Sequence, residues 1–313
     1  MQIITPHQLP PEVRCAATIG FFDGVHRGHR YLLSQLCETA VQNAECSLVI
    51  TFRQHPRQVL QTDYRPLLLL DYEEKLDHLA RCGTDYCLPL DFTPQLAALT
   101  ARQFLTRYLT GPLHVRHLLL GYDHHFGADH CSFKEYLQMG REAGVGIIHA
   151  QAFRPDDTAV SSSAIRRYLQ AGNVSSARWA LGYAYPLAGT VVSGRRVGHS
   201  LGYPTANLSP ANPFKLIPAD GVYAAWAETD GHCHPAMVNI GHCPTFSQGS
   251  DRTIEAHLLH FAGNLYNRPL RLHFVSRLRE ERRFSSPDEL RTQLDRDARA
   301  ALAALQSENP PTP

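Results

Sequence analysis

The sequence predicts an α/β N-terminal domain with a doubly wound parallel sheet, followed by a mainly antiparallel β-barrel domain that ends in a helix. In the first half, short apolar runs alternate with segments of helical period, an order typical of parallel strands joined by crossover helices. After Pro186, apolar runs follow one another with only Gly, Pro, Asn and Asp turns between them, which favours antiparallel strands. The predicted divisions are 1–183, 184–306 and a disordered tail at 307–313.

Apolar periodicity and helix-capping signals define the predicted elements of the first domain. Thr100 and Gln103, for example, have the spacing of a capping box and mark a helix start. The predicted strands are 16–22, 46–52, 85–92, 115–123 and 146–153. The predicted helices are 28–44, 72–83, 100–111 and 132–144, followed by two short helices within 160–183.

Turn residues separate the predicted strands of the second domain, and no helical segment lies between them. A C-terminal helix follows, because Ser286 suits the N-cap, Pro287 the first turn and Glu289 the capping-box position. The predicted strands are 187–194, 205–209, 221–228, 234–241, 253–261 and 270–278.

Composition narrows the class of protein before any motif is considered. With a formal net charge of +1, the protein has no overall positive potential that would attract nucleic acid or an anionic membrane. We therefore expect neither as a partner. The eight cysteines form no CxxC pair, which is typical of reduced thiols. No signal peptide and no apolar run of about 18 residues is readable. We therefore expect a cytoplasmic protein; the oligomeric state stays open.

The segment TIGFFDGVHRGHR (18–30) joins the first predicted strand to the first predicted helix. Ligands of open parallel sheets bind beyond the carboxyl ends of the strands, where helix N-termini attract phosphate. Gly24 and Gly28 would let a phosphate chain approach the backbone. His26 and His29 are three residues apart, so both imidazoles can donate to one phosphoryl group. This pattern indicates nucleotidyl transfer; a zinc site is the weaker alternative, because no third ligand has a recognisable spacing.

The same segment resembles the first motif of the bacterial bifunctional riboflavin kinase/FAD synthetase family, and further motifs follow in that family's order. They are TFRQHP (51–56), GYDHHFG (121–127), VSSSAIR (160–166), LGYPTAN (201–207), GVY (221–223), NIGHCPTF (239–246) and IEAHLLHF (254–261). The resemblance implies that the barrel phosphorylates riboflavin to FMN and that the α/β domain adenylylates FMN to FAD. Riboflavin, FMN and ATP would be the ligands, with Mg²⁺ as the cofactor.

For adenylyl transfer, the resemblance implies that His26 and His29 stabilise the α-phosphate and that Arg166 holds the triphosphate. Ser162 and Ser163 would add hydroxyl donors, with serine at 163 where the family has threonine. The other implied nucleotide- or flavin-binding residues of this domain are Gly20, Phe22, Asp23, Gly24, Gly28 and Asp123.

For the kinase, the resemblance implies that Glu255 is the base that meets the ribityl hydroxyl. Thr205 and Asn207 lie two apart on an extended segment, so their oxygens share one side and suit Mg²⁺. The other implied binding residues are Gly194, Arg195, Gly202, Pro204, Asn239 and Arg279, the last of these in a charged run, 277–284.

Two histidine-rich stretches leave alternatives open. GYDHHFGADH departs from the family pattern and permits a competing metal site formed by Asp123, His124, His125 and His130. A second cluster has the spacing of a zinc site, although we interpret it as incidental. Its members are His232, Cys233, His234, His242 and Cys243.

Three rival functions follow. The first domain could have degenerated, leaving a riboflavin kinase; the chain could be a flavin carrier without turnover; or the first domain could be a cytidylyl-type transferase. The intact set of Thr205, Asn207 and Glu255 speaks against a carrier, since a pure binding protein needs neither metal ligands nor a base.

Overall fold

The computed structural model describes residues 1–61, 63–121, 126–155, 158, 160–194, 202–242, 252–306 and 308–311. The chain divides into two units. The first comprises Met1–Pro66 and Leu70–Ser161, and the second comprises Leu67–Leu69 and Ser162–Pro313. The boundary that the sequence places after residue 183 stays a prediction.

The first unit contains a six-stranded sheet in which every pair of neighbouring strands is parallel. Its spatial order is β1-β4-β3-β2-β5-β6, which confirms the predicted doubly wound arrangement. The strands are β1 (Gln2–Ile3), β2 (Cys15–Ile19), β3 (Cys46–Phe52), β4 (Tyr86–Leu90), β5 (Val115–Leu120) and β6 (Gly146–His149). All five residues of β2 and six of the seven in β3 are buried, as expected when helices cover both faces.

The helices of this unit are α1 (Arg27–Gln42), α2 (Pro56–Leu60), α3 (Tyr72–Ala80), α4 (Pro94–Ala97), α5 (Ala101–Phe104) and α6 (Phe133–Ala143). The capping box of Thr100 and Gln103 is confirmed at the start of α5. Its continuation differs from the prediction, because Leu105–Thr110 forms a π-helix instead of further α-helical turns. The two-residue strand β1, which the sequence did not predict, pairs with β4.

The second unit contains a closed barrel whose neighbouring strands are all antiparallel, as predicted. Its order is β10-β11-β8-β7-β12-β9. The strands are β7 (Tyr185–Val192), β8 (Ala206–Pro210), β9 (Gly221–Thr229), β10 (His232–His242), β11 (Arg252–Leu258) and β12 (Pro269–Arg279).

Three helices accompany the barrel in the described residues of this unit: α7 (Ser162–Gln170), α8 (Val174–Leu181) and α9 (Pro287–Gln306). The Oγ atom of Ser286 accepts a hydrogen bond from the Glu289 amide at 3.2 Å, which confirms the predicted cap of α9. Ala301 and Leu305 of α9 pack against Met237 and Val275 of the barrel. The C-terminal helix therefore covers part of the outer surface of the barrel.

Within the described ranges, none of the helices is both long and apolar enough to span a membrane. The cysteines of those ranges are free thiols.

Candidate active sites

The turn after β2 leads directly into α1. Phe22, Gly24 and Val25 have φ angles of 55°, 84° and 31°, so three residues of four are in the left-handed region. Such a conformation is unfavourable for a β-branched residue such as Val25 and is found chiefly where a site requires it. The Asp23 carboxylate anchors the turn by accepting a hydrogen bond from the Leu70 amide at 3.2 Å.

His26 is the N-cap of α1 and lies directly beside His29. Its Nδ1 atom accepts a hydrogen bond from the His29 amide at 3.2 Å. The acceptor role of Nδ1 places the proton of a neutral His26 on Nε2, so Nε2 is the donor atom of this ring. The two imidazoles stack with 3.6 Å between centroids and 16° between planes, and Phe22 contacts His29 edge-on. The structure thus brings the two predicted histidines together at a helix N-terminus.

The glycines of the motif make room for these aromatic rings. A Cβ atom at Gly28 would lie 3.1 Å from the His26 ring and 3.3 Å from the Val160 carbonyl oxygen. A Cβ atom at Gly20 would lie 3.0 Å from the Phe22 ring. Both contacts are tighter than ordinary van der Waals packing, so any larger residue would displace the ring beside it.

An apolar cavity of about 630 Å³ opens at the carboxyl ends of β2 and β3. Aromatic side chains form much of its lining, and such a lining suits a flat aromatic ligand. The aromatic residues that line it are Phe21, Phe52, Phe92, Phe104, Phe126 and His130.

Ser162, Ser163 and Arg166 belong to the second unit, in the first turns of α7. The Arg166 Nε atom donates a hydrogen bond to the Leu67 carbonyl at 2.7 Å. Their phosphate-binding role stays a prediction. Asp123 and Arg195 lie outside the described residues, as do His124 and His125.

Glu255 is the centre of a polar cluster on the barrel. It lies on β11, opposite Asn239 of β10 on one side and Asn207 of β8 on the other. The Thr205 hydroxyl donates a hydrogen bond to Glu255 Oε2 at 3.2 Å. Gly194 packs so closely on the Asn207 amide group that a side chain there would collide with it. The structure therefore brings five of the predicted kinase residues together.

Two cavities open beside this cluster. One, of about 290 Å³, is lined by Glu255, Asn239, Thr205 and Arg279 together with the beginning of α9. The other, of about 390 Å³, is lined by Thr205, Pro204, Ala206 and the segment 261–266. Thr205 lines both, so it stands where the two cavities adjoin.

Arg279 lines the smaller cavity and is held by a carboxylate of α9. Its Nε atom donates to Asp297 Oδ1 at 3.1 Å, and its Nη2 atom donates to Asp297 Oδ2 at 2.7 Å. Asp297 is 3% exposed, and Gln293 Nε2 donates to it at 2.7 Å. This bidentate pair fixes the plane of the guanidinium group. Arg279, which belongs to the charged run 277–284, thus forms an ion pair with a buried carboxylate.

His257 reaches the same cavity from β11, two residues after Glu255. Its Nδ1 atom hydrogen-bonds the Pro204 carbonyl at 2.8 Å, so it holds the residue that precedes Thr205. Burial lowers the pKa of His257, against the raising effect of its hydrogen bond to Pro204, and so favours the neutral ring. Gly202, two residues before Pro204, has a φ of +84°, and no atom lies within 4 Å of the position that a Cβ would occupy.

Sequence reasoning missed His257 and Asp297 as members of this site. Asp297 did carry a signal, since it lies four residues before Ala301 and eight before Leu305, on the buried face of α9. A carboxylate on such a face requires a partner.

The second histidine-rich cluster engages other groups in the described residues. His242 pairs with Asp220 at 3.1 Å, His232 bonds the Asp230 carbonyl at 2.9 Å, and His234 contacts the Phe261 ring. No group of three or more His, Cys, Asp or Glu residues in the described part of the chain could hold a metal ion. Cys243 lies outside that part.

Comparison with known proteins identifies the family. Residues 10–164 match the FAD synthetase model and residues 181–305 match the riboflavin kinase model. A bifunctional riboflavin kinase/FMN adenylyltransferase of Pseudomonas fluorescens is 38% identical and covers 95% of each chain. The chain belongs to this family.

Other bifunctional riboflavin kinase/FMN adenylyltransferases show the same end-to-end relationship. The one from Escherichia coli K12 is 38% identical over 92% of this chain and 91% of its own. The one from Bacillus subtilis is 31% identical over 96% of each. A crystal structure described as a macrolide-efflux protein from Streptococcus pneumoniae superposes with a TM-score of 0.87 at 28% identity, covering 96% of this chain and 98% of that one.

Proposed function

We propose that residues 184–306 phosphorylate riboflavin and that residues 1–183 adenylylate the resulting FMN. The chain is a bifunctional riboflavin kinase and FMN adenylyltransferase that uses ATP as co-substrate, in agreement with both family models and the curated relatives. The observation that carries the kinase assignment is the Thr205–Glu255 contact at the junction of two cavities. We place the protein in the cytoplasm, because the described cysteines are free thiols.

In the kinase, the smaller cavity would take the flavin and the larger would take the nucleotide. The Glu255 carboxylate accepts the proton of the riboflavin 5′-hydroxyl as its oxygen attacks the γ-phosphorus of ATP. The bond from the γ-phosphorus to the bridging oxygen breaks, which gives FMN and ADP. Thr205 would lie beside both reactants, because it lines both cavities.

Magnesium fits the donor set at this junction. Thr205 and Asn207 offer neutral oxygen atoms, and the Glu255 carboxylate lies within hydrogen-bond distance of the first. We propose that Thr205 and Asn207 hold the ion, which when bound neutralises charge on the phosphate oxygens of ATP. Gly194 leaves space for the Asn207 amide, because any side chain at that position would displace it.

In the adenylyltransferase, the helix N-terminus at His26 would bind the α-phosphate of ATP. The Nε2–H group of His26 and the ring of His29 donate to its oxygens, where negative charge grows during transfer. A phosphate oxygen of FMN attacks the α-phosphorus, the bond to the β-phosphate oxygen breaks, and pyrophosphate leaves. The aromatic cavity at the ends of β2 and β3 would hold the flavin ring.

One incubation tests this function. The full chain is mixed with riboflavin, ATP and Mg²⁺, and FMN and FAD are separated by chromatography over time. We expect FMN first and FAD after it, with both absent when Mg²⁺ is chelated. If the enzyme forms FMN but no FAD, even when FMN is supplied, the chain has only the riboflavin kinase activity. Failure to consume ATP would indicate a flavin-binding protein without catalytic activity.

A further inference from the structure

A buried lysine lies next to the predicted adenylyl-transfer site. Lys75 is on α3, and it is 2% exposed. Its Nζ atom donates hydrogen bonds to the carbonyl oxygens of Phe21, at 3.2 Å, and Phe52, at 2.6 Å. The same ammonium group lies 4.2 Å from the centroid of the Phe21 ring. A fully buried lysine is rare, and this one is not explained by the family motifs or by the apolar face of its helix.

The two carbonyl groups belong to the elements that build the site. Phe52 is the last residue of β3, and Phe21 lies two residues beyond the end of β2. Both side chains line the aromatic cavity, and Phe21 leads directly into the strained turn before His26. Lys75 therefore joins the carboxyl ends of two neighbouring strands at the edge where ligands of parallel sheets bind.

Lys75 loses its charge in the mildly alkaline range. Burial lowers its pKa to about 8, against the raising effects of the Asp23 carboxylate and of Cys87. Among the groups that face it, burial raises the pKa of Tyr72 against the lowering effect of Arg53. Burial also raises the pKa of Cys87 to about 11, against the lowering effects of Lys75 and Arg53. Tyr72 and Cys87 therefore keep their protons over the range in which Lys75 loses its own.

We propose that Lys75 is a positioning residue for FMN adenylylation: its ammonium group fixes the ends of β2 and β3 so that Phe21 and Phe52 hold the flavin ring. The inference rests on the proposed function and adds a residue and a pH dependence to it. Once deprotonated, the amine keeps only neutral hydrogen bonds and loses its attraction to the Phe21 ring, so the two strand ends are held less firmly.

The test compares FAD formation from FMN and Mg–ATP between pH 6.5 and 9.5 in the full chain. The variants are Lys75→Met and Lys75→Arg, with Lys134→Met on the exposed side of α6 as the matched control. The KM for FMN and the kcat are measured separately. FMN formation from riboflavin in each sample reports the integrity of the rest of the chain.

We expect the wild-type KM for FMN to rise about tenfold between pH 7 and pH 9.5, because charge-assisted bonds are about twice as strong as neutral ones. Lys75→Met should show the high KM at all pH values with FMN formation unchanged, and Lys75→Arg should remove the alkaline rise because arginine stays charged. Lys134→Met should match the wild type.

A pH-independent KM in the wild type would overturn the proposal, as would a Lys75→Met enzyme with the wild-type profile. If Lys75→Met fails to fold, the pH dependence of the KM for FMN in the wild type and in Lys75→Arg tests the proposal instead. Absence of FAD formation by the wild type at every pH would instead contradict the proposed function itself.

Discussion

The Thr205 hydroxyl donates to the Glu255 carboxylate at 3.2 Å, and Thr205 lines both cavities of the barrel unit. A single hydroxyl therefore links the predicted base, the predicted metal position and the two proposed substrate cavities. This arrangement suits transfer of a phosphoryl group from one cavity to a hydroxyl in the other.

Glu255→Gln should lower FMN formation by about 10²- to 10⁴-fold, because the amide does not accept the hydroxyl proton. FAD formation from supplied FMN should persist. Both products are measured by chromatography, with Asp230→Asn as the control, since Asp230 pairs with Arg268 at the surface. Equal loss of both activities would argue against separate sites.

His29→Ala should leave FMN accumulating while FAD formation falls by about 10²- to 10³-fold, the cost of losing one donor to a developing oxyanion. Initial rates from FMN and ATP provide the measurement. His7→Ala serves as the control because His7 is exposed in the same unit. Unchanged FAD output would remove His29 from the proposed mechanism.

Gly194→Ala should impair the kinase selectively, because the new methyl group would displace the Asn207 amide. We expect a higher Mg²⁺ concentration at half-maximal FMN formation, with FAD formation from FMN preserved. Gly111→Ala is the control, since its Cβ would meet its nearest neighbour at an ordinary 3.7 Å. An unaltered Mg²⁺ requirement would show that Asn207 does not depend on that glycine.

Asp297→Asn should release the Arg279 guanidinium from its bidentate contact. Breaking a buried ion pair costs about 3–5 kcal/mol, so thermal unfolding should begin at a lower temperature. The KM for riboflavin should rise more than the KM for ATP, because Arg279 lines only the smaller of the two cavities. Asp288→Asn, on the exposed start of α9, is the control; equal rises in both KM values would contradict a flavin-side role.

The sequence predicts this fold well wherever periodicity and capping coincide. Thr100 and Gln103 mark a real helix start, and Ser286 caps the last helix. The π-helix at Leu105–Thr110 has no such signal, because a change in hydrogen-bond spacing depends on how the segment packs. Strand β1 is only two residues long, too short for a period of two to appear.

The motifs predict which residues meet on the barrel, but they do not predict the residues that only the packing of the fold brings to the two candidate sites. Glu255, Thr205 and Asn207 meet as their motifs indicate. No motif names Lys75, and only the fold shows that its ammonium group reaches two strand ends. Asp297 is likewise one of several charged residues in the sequence of α9, and only the structure shows that it is buried.

The most direct test of two separate active centres in one chain is complementation between purified variants. Glu255→Gln and His29→Ala enzymes are incubated with riboflavin and Mg–ATP, first apart and then mixed, and FAD is quantified. Neither variant alone should make appreciable FAD from riboflavin, and the mixture should restore it as FMN released by one is adenylylated by the other. A mixture that produces no more FAD than the two variants separately would contradict the presence of two separate active centres.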